Sequence, residues 1–481
     1  MIRRGCPFSA YCLSRRNFLA GASAAFAAYA LATPTELLLG AVKEEPFAAK
    51  PVLPEPKAKV GLVFLHTTCD QPCWPYQGFD FEPQMKKVTH DLKEACTHTE
   101  FSVGTAVNAE QVEPLVKEMN DVDGFVIYLV GPSVSPKPFV ETGKPIVLVD
   151  YLYSGTPTFI FTYRDCEKEG RPVVGVASSD FRDVAKAAKL FQVIKRIQSA
   201  KIVDVMDRDV SEHAEFIKEA TGIEVLPVGL AVLNSYYEKA DEKEAAKWAD
   251  KWAKGAKKVV EPTREDLIKS GKMHLANSTL ITERGAEAIA IDCLGGFYSR
   301  KLSAYPCLSF VEMNSGDLVG ACEADLNSTT AMIMMRHLTG RAGFISDPVF
   351  DLPKSQIIYS HCVAPMRVFG SQGKSNPYII RSHSEDRKGA SVQSLLPLGE
   401  TVTSIQTNAK EKALVMHSGK TVANIDDDKA CRTKLATEAN VQKILETYRW
   451  GWHRVTFFGN WRKEVKDLAT LMGLHVYEED V

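Results

Sequence analysis

No sign of charge dominates this chain: 60 acidic residues stand against 58 basic ones, a net of −2. A balance this close offers no basic stripe for nucleic acid and no cationic face for an anionic membrane surface. Long apolar runs are missing too. The most apolar N-terminal stretch, residues 20–32, falls short of the roughly 17–25 residues that a spanning helix needs. Internal repeats and low-complexity tracts are absent after residue 32, which excludes solenoids and propeller arrays. Cysteine gives no disulfide framework: nine of the 11 lie beyond residue 32, an odd number, and most sit inside apolar runs. Cys293, Cys307, Cys322 and Cys362 read as small buried thiols. Only Cys69 and Cys73 look like a pair, and disulfide, metal site and free thiols all stay open there.

The chain that remains is ordinary in bulk, 481 residues with 45% apolar content, enough for two to four domains with real cores. Ser14-Arg15-Arg16-Asn17-Phe18-Leu19 is a twin-arginine export motif. An Ala-rich stretch follows and ends in Ala30-Leu31-Ala32, so residues 1–32 read as a signal peptide. The expected location is periplasmic or otherwise extracytoplasmic, with no stable membrane span after export. Residues 33–58 are rich in proline and read as a linker.

Beyond the linker, strand and helix patterns alternate. Strands are expected at 59–66, 124–130 and 145–150, with helices at 83–96 and 109–120. These make residues 59–171 a parallel α/β domain. A second α/β unit, 172–354, opens with a strand at 173–177 and a helix at 181–197 capped by Ser179-Asp180. Strands at 200–205, 223–228 and 285–293 and a helix at 212–221 follow. Residues 239–258 read as one long charged helix whose Trp248 and Trp252, at i and i+4, form a packing stripe. From 355 to 481 short strands alternate with turns (356–360, 378–381, 401–407, 413–418, 420–423 and 454–458), and a final helix covers 461–474. The fold class is therefore α/β: two parallel-sheet, Rossmann-like domains and then a small β-rich, barrel-like domain.

Chemistry concentrates between Pro306 and Pro365. Glu323 follows a short apolar run at 319–322, and Asp347 follows another at 343–346. A helix over 326–338 lies between them. Ligands of open α/β sheets bind at the carboxyl ends of strands, and two acids at such ends can share one hard cation with room for substrate oxygens. Asp325 and Asn327 also suit the cap of that helix.

This stretch resembles the L-fucose isomerases and, more distantly, the L-arabinose isomerases. It carries Glu323-Ala324-Asp325-Leu326-Asn327, a helix ending in His337-Leu338-Thr339-Gly340, and Asp347 at the family's spacing. The resemblance is close over about 286–370, returns around 380–460, and is only topological before that. It implies a third ligand, His453, in Trp452-His453-Arg454-Val455. It implies a divalent metal, Mn²⁺ or Mg²⁺, held by Glu323, Asp347 and His453. The two acids then also act as bases in an aldose–ketose isomerisation through an enediolate. A homo-oligomer, trimer or hexamer, is implied as well.

Five further residues are candidates for substrate contact or support. His361 contacts substrate or metal, or caps a strand. Arg381 and His383, with Arg387, reach sugar hydroxyls or form a solvated turn. Trp74 stacks on a sugar, in its own or a neighbouring subunit. The departures from the family, an export leader and different loops, leave room for another sugar, for epimerisation, or for an exported non-catalytic sugar-binding protein. The expected partner in each case is a small carbohydrate, with no nucleic acid.

Overall fold

The computed structural model describes residues 55–481 except 133. The expected signal peptide and nearly all of the expected linker lie outside the described residues. Four sheets organise the rest.

The first sheet has the order β2-β1-β3-β4-β5 and is parallel throughout. Its strands are β1 (Ala58–Leu65), β2 (Thr99–Ala106), β3 (Gly124–Leu129), β4 (Ile146–Asp150) and β5 (Val173–Val176). Helices cover both faces, so β3 and β4 are buried at every position and read as unbroken apolar runs. β2 escapes sequence reading because it is a half-exposed edge strand with little apolar content. β5, expected to open the second unit, instead pairs with β4 and forms the other edge of this first sheet. Cys69 and Cys73 are joined by a disulfide, and the other seven described cysteines are free.

The second sheet, order β10-β9-β6-β7, is also parallel. It comprises β6 (Lys201–Val205), β7 (Glu224–Val228), β9 (Ala288–Ile291) and β10 (Val319–Cys322). The single helix expected over 239–258 is two, Leu230–Lys239 and Glu242–Gly255, broken at Ala240, which is extended. Trp248 and Trp252 on the second are buried and pack against His274, as a packing stripe should. The 21-residue helix Arg264–Arg284 has no clear apolar stripe, because it is buried on several sides with Ser270, His274, Asn277 and Ser278 inward.

The C-terminal part is a closed barrel. Strands β11 (Phe344–Asp351), β12 (Gln356–His361), β15 (Thr401–Asn408), β16 (Ala413–Asn424), β17 (Thr433–Glu438) and β18 (Arg454–Phe458) run in the order β15-β18-β11-β12-β17-β16, and β16 pairs back with β15. β19 (His475–Glu478) adds to β16 in parallel. The two strands expected at 413–418 and 420–423 are one 12-residue strand, irregular near Thr421, whose first half pairs with β15 and second half with β17. A short sheet of β8 (Lys258–Val259), β13 (Tyr378–Arg381) and β14 (Ser391–Ser394) ties the α/β part to the barrel. Among the described residues, no helix is long and apolar enough to cross a membrane.

Candidate active site

Glu323 is delivered by β10. The strand ends at Cys322, and the chain turns sharply: Glu323 and Ala324 both take left-handed backbone, φ 60° and 49°. Non-glycine residues adopt that region at a cost of about 1–3 kcal/mol each, and such strain collects at functional sites. The turn is held by Ala324 N–H donating to Ile291 O at 2.9 Å. Asp325 then caps the helix Leu326–Thr339 through Ser328 N–H at 3.0 Å.

Asp347 does not end a parallel strand, as the sequence suggested. It lies inside the antiparallel β11, at the point where that strand leaves β18 and begins to pair with β12. Ser346 pairs with Arg454, so the next position along brings Asp347 opposite His453. The register therefore joins residues 106 positions apart in sequence, with Asp347 Oδ1 and His453 Nε2 separated by 3.2 Å. Glu323 Oε2 stands 3.5 Å from the same nitrogen. His361, the last residue of β12, places Nε2 3.8 Å from Glu323 Oε1.

All four side chains thus converge. Ligand atoms of Glu323, His361 and His453 lie within 4.8 Å of one another, a grouping that could hold a metal ion. Asp347 Oδ1, His361 Nε2 and His453 Nε2 are buried without a hydrogen-bond partner. Orphaned polar atoms are costly in an interior unless a ligand meets them. Two of them, Asp347 Oδ1 and His453 Nε2, face each other beside the partly exposed Glu323 carboxylate and fit a bound cation.

Both histidines turn Nε2 to the cluster, and they differ in what Nδ1 meets. Asp325 Oδ2 lies 2.8 Å from His453 Nδ1 and is ionised, so Nδ1 carries a proton and Nε2 is the nitrogen turned to the acids. Burial alone would lower the His453 pKa. Its contacts with Asp325 and Asp347, and the charges of Asp325 and Glu323, outweigh burial and push it up to about 10. A cation at Nε2 would take the place of that second proton. Burial likewise would raise Asp325, but its bonds to His453 and Ser328 win and hold it below the usual carboxylate range. His361 is the reverse case. Its Nδ1 accepts the Cys362 backbone N–H at 2.9 Å, so its Nε2 carries the hydrogen and is a donor.

Gln406 braces this arrangement, with Nε2 donating to Ser328 Oγ at 2.8 Å and to His453 O at 3.2 Å. Arg454, fully buried, donates to His453 O at 2.9 Å and pairs with Glu479. Neither residue was visible to sequence reasoning, since each lies on a barrel strand whose inward face is polar.

The remaining candidates sort differently. Arg381 is bound on both sides: Nε donates to Glu261 at 2.8 Å, and the guanidinium also reaches Asp428. That makes it a clamp between β13 and its surroundings. Arg387 is tied to Asp428 as well. His383 is buried against Phe297 and Tyr305, 3.4 Å from Asp386. Trp74 is exposed on the loop after β1 in the first sheet and is not among the residues gathered around Glu323.

No family model matches this chain. Two sulfoquinovose isomerases, from Priestia aryabhattai and Priestia megaterium, are each 24% identical to it over 197 residues. That match covers 39% of this chain and 42% of each relative, so the chain spans under half the length of the curated relatives it matches. Among solved structures, an ABC transporter periplasmic solute-binding protein from Actinobacillus succinogenes with bound D-allose is 13% identical, over 51% of this chain and 83% of that one, with a TM-score of 0.17. A mutant XylFII–LytSN complex is 12% identical over 59% and 94%, also with a TM-score of 0.17. Over the matched segment the chain is similar to these two sulfoquinovose isomerases.

Proposed function

We propose that this protein is a divalent-metal-dependent aldose–ketose isomerase, exported by the twin-arginine route. The observation that carries the proposal is the meeting of Glu323 from the end of β10, Asp347 from β11 and His453 from just before β18, with buried polar atoms left unpaired. Two carboxylates and one imidazole favour a hard or borderline ion such as Mn²⁺ or Mg²⁺ over a thiolate-loving one. When bound, such an ion polarises a carbonyl and its neighbouring hydroxyl.

The chain's own residues supply the rest. Glu323 is the most exposed of the four and stands within reach of a substrate. Its carboxylate takes the proton from C2 of the aldose, and the electron pair left behind forms the enediolate. The proton now held by that carboxyl group exchanges with solvent, and the group then delivers a proton to C1 to give the ketose. Asp347, on the barrel strand β11, exchanges the hydroxyl proton between O2 and O1. His361, with its hydrogen on Nε2, donates to the oxygen on which charge develops. Asp325 keeps His453 in the tautomer whose lone pair faces the acids.

The test is proton exchange. Protein freed of metal, reloaded with Mn²⁺ and incubated in D₂O with a panel of aldoses and ketoses that includes sulfoquinovose, is expected to place deuterium at C1 or C2. Glu323→Gln is expected to abolish it. Absence of exchange with every sugar, together with tight sugar binding that ignores metal, would instead identify a binding protein.

A further inference from the structure

The loop that delivers His453 is braced beyond what a surface loop needs. Trp450 and Gly451 take left-handed backbone, φ 60° and 70°. Arg454 Nη2 donates to Arg449 O at 2.9 Å, and Tyr448 Oη donates to Trp452 O at 2.5 Å. On this loop Trp452 stands 63% exposed, while its indole Nε1 donates to Pro348 O at 3.3 Å. The ring is therefore pinned between the residue before His453 and the residue after Asp347. An indole left this far in water adds little to the core, so apolar burial does not account for holding it still.

A second exposed ring lies on the α/β side, near enough to Glu323 for that carboxylate's charge to act on its phenol. Tyr298 ends the short helix Cys293–Tyr298, which leaves β9 at Asp292, beside the Glu323 turn bonded to Ile291 O. Tyr298 is 68% exposed, and its hydroxyl is tied to Glu385. In both rings the polar atom is anchored within the protein and much of the aromatic surface stays in solvent.

We propose that Trp452 and Tyr298 form a carbohydrate-binding subsite at the mouth of the metal centre, stacking on the C–H faces of the substrate carbons beyond C1 and C2. The inference rests on the isomerase reading and adds where the rest of the sugar is held. Sugar C–H groups carry partial positive charge and meet the negative face of an indole or phenol, the geometry that aromatic edges and cations also use. A ring already fixed by its N–H loses no rotamer freedom on binding, which is the advantage of preorganisation. The ligand class is a hydroxyl-rich aldose or ketose with a contiguous C–H face.

The experiment compares wild type, Trp452→Ala, Trp452→Phe and Tyr298→Ala in the Mn²⁺-loaded full-length protein. Isomerisation kinetics are run with the sugars that exchange, and calorimetric titration with the same panel of aldoses and ketoses is run independently of turnover. Trp452→Ala is expected to raise KM tenfold or more, with kcat within threefold and manganese affinity unchanged. Trp452→Phe should keep most of the sugar affinity, and Tyr298→Ala should weaken it in the same sense as Trp452→Ala. A KM or sugar affinity of Trp452→Ala within twofold of wild type overturns the subsite while leaving the metal reading intact. Wild type that binds none of the sugars calorimetrically overturns the subsite too. Wild type that binds sugar but no manganese instead sinks the isomerase reading, and the calorimetric comparison still decides the subsite.

Discussion

Replacing Asp325 by Asn tests the link between a helix cap and the proposed metal centre. Asp325 does two jobs with one carboxylate. Oδ1 accepts the Ser328 N–H at 3.0 Å, and Oδ2 accepts from Ser328 Oγ at 2.5 Å and from His453 Nδ1 at 2.8 Å. Asparagine has one oxygen where aspartate has two. If that oxygen keeps the cap, the amide NH₂ faces His453 Nδ1, which must then accept; the ring proton moves to Nε2, and the lone pair leaves the cluster. If the oxygen turns to His453 instead, the NH₂ opposes the Ser328 N–H, and the cap is lost at about 1 kcal/mol. Loss of a carboxylate behind a ligating histidine typically costs about 10–100-fold in metal affinity. That is about 1.4–2.7 kcal/mol, more than the cap alone is worth. The assay is Mn²⁺ titration by electron paramagnetic resonance, paired with urea unfolding of the metal-free proteins. The expected result is a drop in affinity of at least tenfold with a stability change near 1 kcal/mol. Manganese affinity within twofold of wild type in a folded Asp325→Asn protein would refute the reasoning.

Three other outcomes follow from the structure. Asp204 is fully buried on β6 with both oxygens unpartnered, and burial, with Asp292 nearby, pushes its pKa up to about 7. An acid raised on folding costs stability as pH rises from its unfolded value near 4 to its folded one. Wild type should therefore lose up to about 4 kcal/mol across that window from this group alone, a slope that Asp204→Asn should remove in pH-dependent urea melts. Gly155 leaves no room for a side chain, since a Cβ there would sit 1.9 Å from Leu129 O. Gly155→Ala should lower stability by about 2 kcal/mol or more through overpacking of the β3 end, and an unchanged melting temperature would contradict that packing. Arg381→Ala should destabilise the protein, because it leaves the partly buried Glu261 without its partner. In protein that remains folded, sugar affinity should be unchanged, and a selective loss of that affinity would return Arg381 to the binding site.

The parallel sheets were legible because their strands are buried on both faces and bounded by capped helices. Asp180 and Asp325 cap where the sequence places them. The helix Arg264–Arg284 was not legible, because polar residues buried on it erase the apolar period. At the site, Glu323 could be read from the end of an apolar strand, but its left-handed turn could not. Asp347 carried the right residue type and the wrong context: its usefulness comes from the antiparallel register that sets it against His453, and register between strands 100 residues apart leaves no local trace. His453 was found only through family resemblance. The role of His361 turns on a bond from its own neighbour's backbone, which no spacing rule encodes.

The central claim is that three side chains hold one divalent ion. Crystals of the full-length protein grown with Mn²⁺, measured on both sides of the manganese absorption edge, test it directly. The account predicts a single anomalous peak about 2.0–2.6 Å from carboxylate oxygens of Glu323 and Asp347 and from His453 Nε2. A map with no peak among those three groups, or with the ion held through His361 while Asp347 stands apart, would contradict it.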